Sequence, residues 1–229
     1  PRASLPLMCA DSFTIRSAAA HELESSDSPL FGTLATLVAT CMYDPKTVAE
    51  QQKLCGATER DLFEVYGGAS RRSTVAVGRS ALVLAECEGS VVGVCGMQCL
   101  SLTPDARGEE LMSSLSRDAR RQMELRPLMS NLVVMPSFRR RGIARRIVEH
   151  TETLATEWEF DELLLLVNEE NLPAQQLYRS LGYSQQGEAL SGEECQVAQW
   201  YRGGGIRWVP CQNLAMCKTL CCAAPLSKS

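Results

Sequence analysis

Three consecutive arginines and a glycine stand between an apolar segment and a helical pattern near the middle of the chain. The segment is Arg139-Arg140-Arg141-Gly142-Ile143-Ala144, with Arg145 directly after it. The N–H groups in the first turn of a helix have no partner inside the helix, and the helix dipole adds partial positive charge there. A strand that leads through a glycine loop into a helix can therefore bind phosphate. The residues predict an anion site at this loop, and the alternative is a solvated basic face.

A second segment with reactive side chains begins at Asn171. Asn171 precedes Pro173, and both residue types favour the start of a helix, which we predict over residues 173–181. Tyr178 lies inside this helix and carries a hydroxyl that can donate a proton. Taken alone, Tyr178 is more typical of a core or surface tyrosine, so its chemistry depends on its context.

The spacing of apolar residues defines the elements that must hold these two segments. Their order predicts a mixed α/β domain, in which the apolar run at 163–167 is typical of a central strand covered on both faces. Residues 88–90 predict a tight hairpin. We expect insertions at 103–127, a charged loop with a short helix, and at 189–213, a long loop. Strands are predicted at 12–17, 81–87, 91–102, 128–135, 163–167, 183–187 and 214–220, and helices at 29–43, 48–55 with further turns to 66, 142–158 and 173–181.

The composition of the 229 residues is that of a globular protein with a real core, since 45% are hydrophobic and 22% are charged. We place one domain at 12–221, between an extension at 1–11 and a tail at 222–229. The net charge of −4 argues against nucleic acid or an anionic membrane as the main partner. The local arginine cluster therefore predicts a small anionic ligand. No apolar run approaches the ~20 residues that cross a bilayer.

The 11 cysteines do not follow the pattern of a disulfide framework. Cys87, Cys95 and Cys99 lie in apolar strand-like runs, where free cysteine acts as a small buried hydrophobic residue. We expect a reducing compartment and no metal, because the cysteines crowded near the C-terminus form no C-x-x-C pair. Those cysteines are Cys211, Cys217, Cys221 and Cys222.

The two reactive segments together resemble the GCN5-related N-acetyltransferases (GNAT). The residues from Arg139 to Ala144 are similar to that family's acetyl-CoA loop, Gln/Arg-x-x-Gly-x-Gly/Ala. The family's N-x-x-A-x-x-L-Y-x-x-x-G-F/Y segment is matched by Asn171, Ala174, Leu177, Tyr178, Gly182 and Tyr183. The resemblance covers residues 13–220, and around Asn131 and Trp158 it is closest to plastid and cyanobacterial members. It implies the GNAT fold, a mixed, mostly antiparallel central sheet that is splayed between its fourth and fifth strands and flanked by helices.

The resemblance also implies a site for acetyl-CoA. In that fold the pantetheine arm lies between the separated strands, here 128–135 and 163–167, and backbone N–H groups from Arg140 to Arg145 hold the pyrophosphate. Tyr178 stands at the position of the general acid, which protonates the coenzyme A thiolate after an amine attacks the thioester. The implied cofactor-binding residues are Leu132, Val133, Val134, Arg139, Arg140, Arg141, Gly142, Ile143, Ala144, Arg145 and Asn171.

The resemblance leaves the general base unassigned. Relatives that acetylate protein N-termini carry Glu or His where this chain has Leu166, which cannot accept a proton. Glu162 and Glu169 flank the same strand, and a water relay is a further alternative; His21 and His150 receive no role. A weak base favours an α-amine, with a pKa of about 7.7–8.0, over lysine, with a pKa of about 10.4, by roughly 3–4 kcal/mol at neutral pH. We therefore expect a protein N-terminal α-amine as acceptor, with lysine side chains and small amines as alternatives.

Two further questions stay open at the level of sequence. Leu166 is also compatible with a catalytically weak or inactive GNAT-fold subunit of a larger assembly, although the intact arginine loop and Tyr178 argue against it. Residues 189–213, with Trp200, Tyr201 and Trp208, either wall the acceptor groove or form a packed insertion. The resemblance, with an N-terminus that reads as processed, predicts location in the plastid (chloroplast), and the alternative is the cytoplasm.

Overall fold

The chain forms a seven-stranded sheet flanked by helices, together with a separate two-stranded sheet, in a computed structural model. The structure describes residues 12–43, 45, 47–67, 76–107, 116–190, 196–201 and 205–220. The strands are β1 Phe13–Ser17, β2 Ala76–Cys87, β3 Ser90–Leu102, β4 Glu124–Val134, β5 Glu162–Asn168, β6 Ser184–Gln185, β7 Gln196–Tyr201, β8 Gly205–Pro210 and β9 Asn213–Thr219. The helices are α1 Pro29–Tyr43, α2 Val48–Tyr66, α3 Arg117–Arg121, α4 Ile143–Glu157 and α5 Leu172–Ser180, with 3₁₀ turns at Ala20–Glu22 and Pro136–Phe138.

The strand order of the main sheet is β1-β2-β3-β4-β5-β9-β6. Every neighbouring pair is antiparallel except β4 and β5, which are parallel. The predicted mixed, mostly antiparallel sheet is therefore confirmed. The parallel pair places the C-terminal ends of β4 and β5, and the loops that follow them, at the same edge of the sheet.

Helices cover both faces of the sheet. On one face α1 and α2 pack on β2, β3 and β4, where Phe31 and Phe63 meet edge to face with ring centroids 5.4 Å apart. On the other face α4 and α5 pack on β2 to β5 around fully buried Ile147 and Leu165. Each helix buries one apolar side against the sheet. Apolar residues at helical spacing therefore fill the core on each of the two faces. The sheet is thus a rigid support for the loops at its edge.

Elements with a local start signal agree closely with the sequence prediction. Helix α1 has the predicted bounds, and α2 is one helix rather than two pieces. Thr47 caps α2 by accepting from the Glu50 N–H, while the Glu50 carboxylate accepts from the Thr47 N–H. This reciprocal cap fixes the start of the helix at residue 48, where the sequence predicted it.

Three predicted boundaries are wrong because strand pairing decides them. Strand β2 begins at Ala76 rather than 81, and β4 begins at Glu124 rather than 128, so the expected loop at 103–127 ends in paired strand. The predicted strand at 183–187 is reduced to β6. The expected long loop at 189–213 contains the β7–β8 hairpin, and Leu190 bridges to Asn213. The polar ends of these strands show little alternation of apolar residues. Hydrogen bonding to the neighbouring strand determines their extended conformation instead.

The cysteines in the part of the chain that the structure describes are free. Cys95 and Cys99 are fully buried, whereas Cys87 is half-buried. Cys221 and Cys222 lie outside the described residues, as do the proposed extension at 1–11 and the tail at 222–229. Within the described part of the chain, no cluster of His, Cys, Asp or Glu could hold a metal ion, and no helix is long and apolar enough to cross a membrane.

Candidate functional site

Strands β4 and β5 separate after two residue pairs. Leu128 pairs with Leu164 and Met129 with Leu165, and no further pair joins these strands. On its other side β5 remains paired with β9 along its whole length. The gap therefore opens because β4 turns away, and not because β5 ends. The splay that the resemblance implied is present at this point of the sheet.

A bulge in β4 explains the separation. Val133 is paired with Val94 and Ser130 with Gly96, so two residues of β4 lie opposite the single Cys95 of β3. One of the two, Asn131, has a φ of +53°, and asparagine tolerates this left-handed conformation better than most residues. A bulge bends its strand and increases the local twist. The bend at Asn131 thus carries the end of β4 away from β5.

The peptide groups of β4 beyond the bulge alternate between β3 and the gap. The Met135 N–H donates to the Val92 oxygen at 2.8 Å, which fixes the phase of the ladder. In that phase Val133 directs its peptide groups to β3, while Leu132 and Val134 direct theirs to the gap. The Val134 oxygen already accepts from Arg139 Nε at 2.9 Å. Leu132 is therefore the residue best placed to offer both N–H and C=O to a ligand in the gap.

The loop after β4 presents backbone N–H groups to open space. Arg140 has a φ of +65° and Gly142, the N-cap of α4, a φ of +80°. No side chain caps α4, and a Cβ added at Gly142 would meet nothing within 4 Å. Ile143 is buried in the core and anchors the first turn, and Ala144 packs beside it. The arrangement leaves an uncapped helix start facing free volume, as an anion cradle requires.

The arginine side chains around this loop have defined contacts. Arg139 holds the end of β4, as described above, and the Arg141 guanidinium lies 5.1 Å from the Phe138 ring centroid. Arg145 Nη2 donates to Ser180 Oγ at 3.1 Å and so links α4 to α5. These contacts fix several positive charges around the helix start, which raises the attraction for an anion there.

Tyr178 is buried in the core on the face of the sheet that α4 and α5 cover. Its side chain is 7% exposed, and its ring meets the Tyr183 ring edge to face at 5.9 Å between centroids. Burial raises the pKa of Tyr178, and the nearby Cys95 adds to the effect. Burial likewise raises the pKa of Cys95, to about 12. Tyr178 is therefore protonated at neutral pH and is available as a proton donor.

Asn171 occupies the N-cap of α5, as predicted. Its Oδ1 accepts from the Ala174 N–H at 3.2 Å, and the side chain is exposed. Gln175, which the sequence did not single out, is buried and donates to the backbone oxygens of Asn168 and Glu169. It fixes the turn between β5 and α5 and thereby the position of Tyr178. Gln175 lies three residues before Tyr178 and so on the same face of the helix. This spacing was the sequence signal that could have pointed to Gln175.

The position expected to hold a general base carries an exposed apolar side chain. Leu166 is 36% exposed because β4 has turned away from β5 beside it. Glu162 lies at the other end of the strand, where Arg126 Nη2 donates to it at 2.9 Å and lowers its pKa. Glu169 is an exposed residue beyond the strand end. Neither flanking glutamate takes the place of the missing base on β5.

Comparison with known proteins identifies the family. The model of the Acetyltransferase (GNAT) family matches residues 53–183, more than half of the chain. The chain therefore belongs to the GNAT family of acetyl-CoA-dependent N-acetyltransferases. Comparison with curated proteins gave no match.

Solved structures show the same fold at low identity. The ribosomal-protein-S18-alanine N-acetyltransferase from Escherichia coli is 14% identical with a TM-score of 0.51, over 91% of this chain and 94% of that one. The PaiA N-acetyltransferase from Thermoplasma acidophilum, solved with coenzyme A, is 10% identical with a TM-score of 0.52, over 91% and 99%. A GNAT acetyltransferase from Streptococcus pneumoniae is 14% identical with a TM-score of 0.50, over 91% and 99%.

The residues present fit acetyl-CoA, the family's cosubstrate. The uncapped start of α4 and the free volume before Gly142 suit a pyrophosphate, and the gap beside Leu132 suits an extended arm that pairs with backbone. When bound there, acetyl-CoA supplies an activated acetyl group as a thioester. The residues that would hold it are the loop around Gly142 and the backbone of Leu132.

Proposed function

We propose that the protein transfers the acetyl group of acetyl-CoA to the α-amine of a protein N-terminus, with Tyr178 as the general acid. The observation that carries the proposal is the pairing of two features at one gap. Buried, protonated Tyr178 lies on one side, and exposed Leu166 stands where a base would be expected. Such a site donates a proton readily and accepts one poorly.

The reaction follows from these groups. A neutral amine attacks the thioester carbonyl carbon, the carbon–sulfur bond breaks, and the leaving thiolate takes the proton of the Tyr178 hydroxyl. The proton released by the amine passes to water, and solvent reprotonates the tyrosine. The burial that raises the pKa of Tyr178 also raises the pKa of a thiol in the same apolar surroundings. Proton transfer between the two groups is therefore not impaired by burial.

The missing base favours an acceptor amine whose neutral form costs little to reach at neutral pH. Preparing a lysine amine at neutral pH costs roughly 3–4 kcal/mol more than preparing an α-amine, because the two pKa values differ. With Leu166 at the base position, no described side chain of β5 is placed to accept the proton of a lysine ammonium group. A protein α-amine is the acceptor we propose, and a lysine side chain is the second choice.

The β7–β8 hairpin supports a macromolecular acceptor. Strand β7 contacts α1, the helix that packs over β4 on the face to which Leu166 points. The hairpin thus contacts the helix that covers the face to which Leu166 points, which supports a role beside the acceptor. A wall formed by a hairpin suits a peptide, which can lie along it, better than a small amine. We propose that residues 189–213 form one wall of the acceptor groove.

The proposal is tested by acetylation of a peptide library. We expect the purified protein and acetyl-CoA to modify peptides with a free α-amine. Peptides with a blocked N-terminus and a free lysine side chain should be modified much less. Tyr178→Phe should lower kcat about 100-fold, as expected for loss of a general acid, while the Kd for coenzyme A stays within about twofold. Mass spectrometry of the products and calorimetric titration of coenzyme A measure the two effects.

Tyr183→Phe is the matched control for that experiment. This variant removes the hydroxyl of the tyrosine whose ring contacts Tyr178. We assign that hydroxyl no role in the reaction, so turnover should stay near the wild-type value. Exclusive acetylation of lysine or small amines would overturn the α-amine assignment. Coenzyme A binding without any transfer would instead indicate a GNAT-fold binding subunit of a larger assembly.

We also propose the plastid as the site of action. The support is the resemblance around Asn131 and Trp158 to plastid and cyanobacterial members of the family. Fluorescent tagging of the natural full-length protein in plant cells tests it, and signal confined to the cytoplasm would contradict it.

A further inference from the structure

A pair of hydroxyl groups lies at the apex of the gap, and the proposed reaction has not used it. The Tyr66 hydroxyl, at the end of α2, is 3.1 Å from the Ser130 Oγ on β4. Tyr66 is 4% exposed, whereas Ser130 is only partly buried. The buried tyrosine therefore contacts a serine that is itself only partly buried.

The register of the strands places Ser130 beside Leu166. Leu128 pairs with Leu164 and Met129 with Leu165, so Ser130 and Leu166 come next, where the strands part. Leu128 and Leu164 belong to the same hydrophobic cluster and so lie on one face of the sheet. Side chains two residues apart on a strand share a face, so Ser130 and Leu166 also lie on that face. Ser130 is thus the polar neighbour of the position where the base is missing.

The chain makes specific room for this pair. Gly96 of β3 lies opposite Ser130, and a Cβ at Gly96 would stand 1.9 Å from the Tyr66 hydroxyl oxygen. Only glycine lets the Tyr66 ring cross β3 and reach Ser130. The Cys95 Sγ donates to the Ser130 backbone oxygen at 3.4 Å, which further fixes this residue just before the bulge. The position of Ser130 is therefore fixed by two neighbouring elements, α2 through Tyr66 and β3 through Cys95 and Gly96.

We propose that Ser130 orients the acceptor, its Oγ accepting a hydrogen bond from the attacking amine while Tyr66 holds that hydroxyl from behind. The inference rests on the proposed function, since it requires an amine in the gap. A hydroxyl oxygen has two lone pairs, so it can accept from Tyr66 and from the amine together. Ser130 removes no proton; it aligns the lone pair of the acceptor amine in its neutral form. Tyr66 is a positioning residue that acts through Ser130.

Steady-state kinetics with a short lysine-free peptide that has a free α-amine test this role. Ser130→Ala should lower kcat/KM for the peptide roughly ten- to hundredfold, because a misaligned amine reaches the attack geometry less often. The KM for acetyl-CoA should not change. Ser130→Thr keeps the hydroxyl and should restore most of the activity. Tyr66→Phe should give an intermediate loss that again spares the KM for acetyl-CoA.

Ser17→Ala is the matched control, since it deletes a β1 hydroxyl that contacts His150 of α4, away from the gap. It should leave both kinetic constants unchanged. A folded Ser130→Ala protein with wild-type kcat/KM for the peptide would overturn the proposal, and so would equal losses in the Ala and Thr variants. If Ser130→Ala is unstable, the Ser130→Thr and Tyr66→Phe kinetics decide the question in the same way.

The test separates failure of this inference from failure of the proposed function. Wild-type protein that acetylates a lysine peptide but not the α-amine peptide overturns the proposed acceptor. The same comparison of Ser130 variants on the lysine peptide then still supports or overturns the role of Ser130.

Discussion

Gly142 has a backbone conformation that few other residues adopt, and it faces open space at the start of α4. Alanine at a φ of +80° costs about 1–2 kcal/mol in backbone strain. Its Cβ would also stand where we expect the pyrophosphate to approach. Gly142→Ala should therefore raise the Kd for acetyl-CoA at least about tenfold, equivalent to about 1.4 kcal/mol. Calorimetric titration measures the Kd, and urea denaturation measures the free energy of unfolding.

Gly89 provides a matched control for backbone strain. It has a φ of +75° in the β2–β3 hairpin, and an added Cβ there also meets nothing within 4 Å. Gly89→Ala should lose a similar amount of stability and keep the wild-type Kd. Equal loss of affinity in both variants would show that strain spreads through the fold and that Gly142 has no direct contact with the ligand.

At the scale of elements, a charged cluster ties the 3₁₀ turn after β1 to strand β2. Arg16 donates to the carboxylates of Glu22 and Glu86, each at 2.7 Å. The hydrogen bond from Arg16 lowers the pKa of Glu22 from 4.5 to about 2. A depressed pKa means that the folded state favours the ionised carboxylate. The stabilisation is thus present above about pH 4.5 and is lost as the pH falls towards 2.

Glu22→Gln should therefore lower the free energy of unfolding at neutral pH and have little effect in acid. The expected loss is about 1 kcal/mol, because Arg16 is partly exposed and solvent weakens the pair. Urea denaturation of both proteins at pH 7 and near pH 2.5 measures the difference. Glu24→Gln, an exposed neighbour, should show no such loss at either pH. A loss in Glu22→Gln that persists in acid would contradict the electrostatic account.

The elements also show what the sequence can and cannot predict. Helix α1 and the start of α4 carry their own signals, helical spacing and a glycine at the N-cap, and both were predicted closely. The extra strand residues at 76–80 and 124–127 and the β7–β8 hairpin depend on partners elsewhere in the chain, so local patterns missed them. The bend at Asn131 had only one local sign, an asparagine within an apolar strand.

The same limit applies to the site. The arginine–glycine loop and Asn171 are readable because helix caps have local chemistry. The exposure of Leu166 could not be predicted, since its apolar run is typical of a strand covered on both faces. Leu166 is exposed only because β4 turns away from β5 beside it. The contact between Tyr66 and Ser130 joins residues 64 positions apart. No periodicity in either segment records such a contact.

At the scale of the whole molecule, the net charge opposes the ligand that one loop attracts. The chain carries a charge of −4, and acetyl-CoA is an anion, so the body repels it while the arginine cluster draws it in. The Debye length falls from about 30 Å at 0.01 M salt to about 10 Å at 0.1 M salt. Salt therefore weakens distant repulsion first, and the attraction at the loop only in part. Removing positive charge at the loop and, separately, at a distant place distinguishes the attraction by the loop from the repulsion by the net charge.

The double variant Arg140→Gln with Arg141→Gln removes two positive charges at the loop, and Arg120→Gln with Arg121→Gln removes two on α3. Helix α3 precedes β4 and the loop follows it, so up to roughly 35 Å of strand separates the two pairs. The loop variant should bind acetyl-CoA severalfold more weakly, still so at 0.1 M salt. The α3 variant should bind more weakly only at 0.01 M salt and match wild type at 0.1 M salt, because the change then lies beyond a Debye length. Equal effects of both variants at 0.1 M salt would mean that net charge, and not the arginine loop, governs binding.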